Sequence, residues 1–403
     1  MTHLETQLSL ADTEVAFSYK TDRELKRAYW LFKAMSNPLI THIGRPAVNF
    51  ALTIGLPIKP LIRHTVFQQF CGGENIRDCS ASISQLGWFG VKTILDYSVE
   101  SGEAEEAYDR TCEEICSVID RTSEDPDMPF AVFKITGLGR FDLLEKVAAE
   151  QALSGSEEEE YSRVVGRVNA LCQQSYAKGV PLLFDAEHSW IQPLIDRLAW
   201  QYMLEYNRDR PIIYNTYQLY RNDKLAALHD DCRMAEHHGI FLGAKLVRGA
   251  YMELERRRAE QLGYPSPIHA DKGAVDSDFD AAVVYCLEKI RRVALVIGTH
   301  NEASTLMAAQ GMQRMGIVPD HPHVYFSQLL GMSDHLSFNL AKAGYNVAKY
   351  VPYGPVEAVM PYLLRRAAEN SAVAGQSNRE LSLLKQEIMR RKNMHALFPG
   401  SSR

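Results

Sequence analysis

The feature that most constrains this chain is a succession of eight short apolar segments, each followed by a stretch with helical spacing. The segments are Val91–Tyr97, Phe130–Ile135, Pro181–Asp185, Ile212–Thr216, Phe241–Val247, Val293–Thr299, Val324–Leu329 and Asn346–Val351. They are nearly continuously apolar rather than alternating, as expected of parallel strands covered on both faces. Between them, apolar residues recur three and four apart. From Asn222 to His238, Leu225, Leu228, Cys232 and Ala235 make one stripe, and Gly239 follows as a helix stop. Eight β-then-α units in a row favour a closed parallel barrel over an open sheet. A doubly wound sheet would want GxGxxG after its first strand, and the sequence has none.

Residues 14–86 read as helices, with Leu25, Ala28, Leu31 and Phe32 at helical spacing. The expected organisation is an N-terminal helical arm or layer over 1–86, a catalytic barrel over 87–375 and a helical tail over 376–403. A barrel of this length needs no second domain. The acidic run SGSEEEEY at 154–161 reads as a solvated insertion. The basic tail SLLKQEIMRRKNMHALF reads as a cap on the barrel or a partner contact. A net charge of -6 argues against nucleic acid as the main partner. Seven cysteines carry no CxxC pair or Cys/His ligand spacing, so no metal site is expected, and free thiols fit a reducing compartment.

The opening MTHLETQLSLADTEVAF shows no basic region followed by an apolar run, so no signal peptide is expected. Pro46 to Ile62 is apolar but broken by Gly55, Pro57, Lys59 and Pro60. It is too interrupted to span a bilayer, and reads as a packed helical layer or a membrane-surface contact.

In a barrel, chemistry gathers where the strands end. The second strand ends at Lys134, an anion anchor or Schiff-base nucleophile, or else a lysine reaching solvent. The third runs into Asp185, Ala186, Glu187 and His188, a set suited to acid/base work, to a metal or to structural ion pairs. The fifth ends with Lys245, Arg248 and the small pair Gly249–Ala250, which places positive charge beside backbone that a ligand can approach. The sixth ends at Thr299–His300–Asn301, where Asn301 can cap the next helix or help bind phosphate. After the eighth come Tyr350 and then PYLLRRAAEN. There Arg365 and Arg366 lie three or four residues from Tyr362 and Glu369, hence beside them on a helix. Paired arginines hold a carboxylate through charge-assisted bonds, and a glutamate one turn on orients them.

Taken together, KITGLGR, FDAEHSW, YNTYQLY, AKLVRGAY, GTHNEAS and YVPYGP…PYLLRRAAEN resemble the proline dehydrogenase family. The resemblance runs in order from about residue 60 to 375 and includes FCGGE and FGVKTILDYSVE. The motifs are closer in character to the mitochondrial-type, single-function members than to the large bifunctional bacterial ones.

The resemblance implies a distorted (βα)8 TIM barrel with a non-covalent FAD. It implies oxidation of L-proline to 1-pyrroline-5-carboxylate, the first step of proline catabolism, by hydride transfer from C5 to flavin N5. A membrane quinone would take the electrons, and a pyrroline-5-carboxylate dehydrogenase would be the partner downstream. Carried over by position, the substrate carboxylate meets Lys134, Arg365 and Arg366, with Tyr350 packing on the ring and Asp185 holding the local network. Leu246, Tyr251 and Tyr362 wall the pocket, and Glu369 pairs with the arginines as a gate. The flavin positions are Ala186, Asn215, Lys245, Val247, Arg248, Gly249, Ala250, Thr299, His300, Asn301, Ser327, Gln328 and Leu329.

Two positions depart from the family pattern. Lys245 stands where bifunctional relatives carry an arginine, and Val275 where many carry a threonine. The alternative substrate on the same fold is hydroxyproline, whose enzymes carry a smaller residue in place of Tyr350. The expected location is a bacterial cytoplasm with peripheral contact at the inner membrane.

Overall fold

The computed structural model describes residues 8–36, 59–99, 104–360, 363 and 376–397. Eight parallel strands form a sheet in the order β1-β8-β7-β6-β5-β4-β3-β2. They are β1 (Val91–Tyr97), β2 (Ala131–Phe133), β3 (Leu182–Phe184), β4 (Ile213–Gln218), β5 (Leu242–Val247), β6 (Val293–Gly298), β7 (Val324–Leu329) and β8 (Val347–Tyr353). β1 lies beside β2 across the seam, so the sheet curls into a nearly closed, distorted (βα)8 barrel.

Strand period decides what fills the barrel. Ile94, Val132, Leu183, Tyr214, Val296, Ala348 and Tyr350 pack with Phe130 as an inner cluster. Their chain neighbours Leu95, Phe133, Phe184, Ile213, Ile297 and Val351 point the other way, into the large core beneath the helices. Phe130 closes the barrel floor, edge-on to Tyr214 at 5.5 Å and Tyr325 at 5.0 Å. Burying each such side chain contributes roughly 1.5–3 kcal/mol.

The helices start and stop where local chemistry says they must. Gly239 ends Lys224–His238 in the left-handed conformation, φ +69°. The acidic run is not an insertion. Ser154 and Glu157 form a capping box that begins the helix Gly155–Lys178. Glu160 then pairs with Arg140 at 2.9 Å, and Glu157 with Lys146.

Arm and tail make a second core between them. Ala16, Phe17, Leu25, Ala28, Phe32 and Phe70 of the arm pack with Leu383 and Leu384 of the C-terminal helix Gln376–Leu397, and with Val356, Val359 and Leu363 after β8. Arg391 locks the pair, bonding Asp22 at 2.8 Å and the carbonyls of Phe17 and Lys20. Of the stretch Pro46 to Ile62, only Lys59–Ile62 lies within the described residues, as a short helix. Among the described residues no helix is long and apolar enough to cross a membrane.

Candidate active site

The inward-facing residues change from apolar to charged near the strand ends. Asp96 is two residues beyond Ile94, Lys134 two beyond Val132, and Asp185 two beyond Leu183, so all three face the barrel axis at its mouth. Lys245 lies on β5, in register with Thr216 and Val296, and Tyr350 on β8, in register with Ile94 and Leu329.

These side chains form one buried array. Lys134 Nζ donates to Asp96 Oδ1 at 2.8 Å and lies 3.2 Å from Asp185 Oδ2. Lys245 Nζ donates to Asp185 Oδ1 and to the Tyr350 hydroxyl at 2.6 Å. It also sits 4.3 Å from the Tyr350 ring centre.

Two cations and two carboxylates therefore balance, and the pKa shifts follow the geometry. Burial opposes the charge on Lys134, but the Asp96 and Asp185 carboxylates outweigh it and hold its pKa above the usual lysine value. Burial dominates at Lys245, whose pKa is lowered even though Asp185 pulls the other way. Asp185 would be raised by burial, yet Lys245 and Lys134 bring it below the ordinary carboxylate value. Tyr350 is pushed well up by burial and then by Asp185 and Asp96, so its hydroxyl stays protonated.

The structure separates residues that the sequence sets side by side. Glu187 turns away from Asp185 to accept from the Thr136 backbone N–H at 3.1 Å and its hydroxyl at 2.6 Å; burial pushes it up. His188 enters an aromatic cluster, 4.6 Å from Trp190 and 4.4 Å from Tyr251. Arg248 bonds Asp276 at 2.8 Å, Thr299 at 2.7 Å and Ser304 at 2.9 Å, over the face of Phe279. Asn301 caps Glu302–Arg314 by accepting from Ser304 N–H at 3.1 Å.

Three expected site positions do not face the mouth, because strand period points their side chains outward. Asn215 donates to Asp196 of the helix after β3. Gln328 bonds Ser337 of the helix after β7 and the Thr299 carbonyl. Leu246 is fully buried in the outer core. Tyr362, Arg365, Arg366 and Glu369 lie outside the described residues.

Sequence reasoning missed Asp96 and Gln218. The first was legible as the residue two after Ile94 in VKTILDY, and the second as the inward-facing residue that ends β4. Among the described residues, buried Gln218 Oε1 and Ser327 Oγ have no hydrogen-bond partner. Both sit on inward-facing strand positions at the mouth, so a polar ligand there would satisfy them. Gly249, at φ +137°, keeps the loop after β5 close to Tyr220; a Cβ would lie 2.5 Å from that ring. The mouth thus holds buried polar atoms that a polar ligand such as a flavin could satisfy. Among the described residues, no group of three or more His, Cys, Asp or Glu side chains is placed to hold a metal ion.

A family model described as "Proline dehydrogenase" matches residues 79–379. The chain belongs to the proline dehydrogenase family. It is 32% identical over 426 residues to Proline dehydrogenase 1, mitochondrial, of Dictyostelium discoideum, across 94% of this chain and 74% of that protein. To Proline dehydrogenase 2, mitochondrial, of Arabidopsis thaliana it is 31% identical, across 96% of this chain and 91% of that protein. The human Proline dehydrogenase 1, mitochondrial, is 41% identical over 245 residues, or 60% of this chain and 41% of that protein. Among solved structures, proline utilization A of Bdellovibrio bacteriovorus, inactivated by N-propargylglycine, superimposes with a TM-score of 0.70. At 18% identity, covering 91% of this chain and 40% of that one, the likeness shows the barrel fold.

Family membership makes this proline dehydrogenase relative an oxidoreductase of proline metabolism, and gives hydroxyproline no support as the substrate. The expected bacterial cytoplasm is overturned, because these curated relatives are named mitochondrial. That expectation rested on the lack of a recognisable address in the opening residues and on free thiols fitting a reducing cytoplasm, and neither feature fixes a location.

Proposed function

We propose that the chain oxidises L-proline to 1-pyrroline-5-carboxylate with a non-covalently held FAD and passes the electrons to a quinone. The observation that carries this reading is the charge-balanced array of Asp96, Lys134, Asp185 and Lys245, capped by Tyr350 at the barrel mouth. When bound, the flavin supplies the acceptor for the hydride that leaves C5 of proline.

The remaining work falls to the chain's own residues. Lys134 is 26% exposed in its side chain, against 8% for Lys245. Lys134 can therefore turn a donor towards a substrate carboxylate, while Lys245 stays committed to Asp185 and Tyr350. Because the array has no net charge of its own, an anionic group needs further cations, which the sequence supplies as Arg365 and Arg366. The family resemblance assigns Glu369 to those arginines as a gate, and Tyr362 and Tyr251 to the pocket wall. Each charge-assisted bond contributes roughly 1.5–3 kcal/mol. Lys245 holds the Tyr350 hydroxyl, so the ring is fixed at the mouth as a surface for the substrate ring.

For the cofactor, Lys245, Gln218, Ser327 and Leu329 line the inward side, with the backbone of Val247, Gly249 and Ala250 beside them. Arg248, Thr299, His300 and Asn301 sit at the start of the helix Glu302–Arg314, whose N-terminus favours phosphate. Working units under this reading are the barrel and the joint arm–tail layer, in place of three separate pieces.

The test is the absorbance spectrum of the purified protein before and after anaerobic L-proline. A yellow protein whose flavin bands bleach on proline supports cofactor and substrate together. A protein that stays colourless after FAD is added removes the reading. Bleaching without turnover on added quinone removes the acceptor alone.

A further inference from the structure

The C-terminal helix reaches the cofactor end of the barrel through one buried carboxylate. Glu380 is 3% exposed, and its Oε1 accepts the backbone N–H of Ser333. Ser333 sits in the loop after β7 at φ +50°, a left-handed conformation that strains a non-glycine residue. Its hydroxyl lies 2.9 Å from His300 Nδ1. The Leu329 N–H approaches Nε2 of the same ring at 3.4 Å. The end of β7 and the loop after it therefore hold His300 from both sides.

The loop is pinned from several directions, which is how a strained residue persists. Gln69 of the arm donates to the Gly331 carbonyl at 2.9 Å. Lys349 of β8 bonds the Met332 carbonyl and, at 2.9 Å, Asp334. Tyr19 donates to the other Asp334 oxygen at 2.6 Å. Glu380 differs from these because it grips the strained residue itself.

We propose that Glu380 is a positioning residue for the cofactor: it fixes the left-handed backbone at Ser333, whose hydroxyl orients the His300 ring. The C-terminal helix is then part of the flavin site rather than an appended tail. This rests on the reading of His300 as a flavin contact. The charges facing Glu380 are Asp334, Lys349 and Lys20. Burial and then Asp334 push it up to about 7, while the Ser333 N–H and the two lysines pull it down. An oxygen remains available to the N–H in either protonation state.

The experiment is equilibrium release of FAD from the holoenzyme, followed by flavin fluorescence, with unfolding midpoints measured in parallel. Glu380→Ala should weaken FAD binding by about tenfold, the size of one lost hydrogen bond to a charged group. Glu380→Gln keeps the acceptor and should restore binding to within about twofold of the unmodified protein. Ser333→Gly relaxes the left-handed backbone but removes the hydroxyl, so FAD should weaken without loss of midpoint. Adding Glu380→Ala to Ser333→Gly should cost less than Glu380→Ala alone, since both act through His300. Full additivity, a Glu380→Gln variant that binds FAD outside that range, or unchanged FAD binding in Ser333→Gly overturns the proposal; the last two outcomes are readable even where Glu380→Ala does not fold. An unmodified protein that holds no FAD overturns the flavin reading and this proposal together. One that holds FAD but shows additive effects overturns this proposal alone.

Discussion

At Lys245, strand period and charge balance meet in one side chain. The residue faces inward because Leu246 faces out, and it can be buried because Asp185 and the Tyr350 hydroxyl accept its hydrogen bonds. Asp185→Asn should therefore do more than remove a polar group. With Asp185 9% exposed and Lys245 6%, it leaves a buried ammonium without its carboxylate, a change that costs about 3 kcal/mol. Denaturant unfolding of the variant checks this, and an unchanged midpoint would mean that Lys245 is not held as described. Tyr350 sets shape as well as charge. Under the proposed function, Tyr350→Ser would open space over the substrate ring, so the specificity constant for hydroxyproline should rise relative to that for proline. A ratio that does not move would take Tyr350 off the substrate.

Among the elements, the loop ends of the strands carry the sharpest consequences. Gly249 sits where φ is +137° and a Cβ would press on the Tyr220 ring. Gly249→Ala should lower stability by about 1–3 kcal/mol and weaken cofactor retention, read as flavin content after gel filtration against the midpoint. The C-terminal helix carries a pH-sensitive group, Glu380. Glu380 has a pKa raised from 4.5 to about 7, so the folded state holds its proton more tightly than the unfolded state. Its contribution to stability is complete below 4.5 and is lost as pH rises through about 7. Glu380→Gln should remove that decline, and equal slopes for both proteins over this window would assign it to another group.

For the whole molecule, the barrel and the arm–tail layer are held by different means. The barrel closes by apolar packing on both faces of its strands, whereas Arg391 ties arm to tail through Asp22 and two carbonyls. Arg391→Ala should cost about 2 kcal/mol and act first on that layer. Hydrogen exchange would show faster exchange in Asp22–Met35 and Gln376–Leu397, with the strands still protected. Uniform loss of protection would mean that the layer and the barrel unfold as one.

Strand order, barrel closure and the charged mouth were legible in the sequence, because a buried parallel strand must be apolar on both faces and its last inward residue is free to be polar. Lys134, Asp185, Lys245 and Tyr350 are visible on that logic alone. Which carboxylate answers Lys134 is not: Asp96 lies 38 residues earlier, and only curling the sheet brings it within 2.8 Å. Asn215 and Gln328 sit in the right motifs, yet one residue of strand register turns their side chains to the helices. Ser333 and Glu380, 47 residues apart, carry no local signal, since neither has a pattern until the tail packs on the arm. Periodicity is a property of neighbours in sequence, and it decided the strands and which way they face. Pairings between buried charges are properties of neighbours in space, so only the tertiary structure decided them.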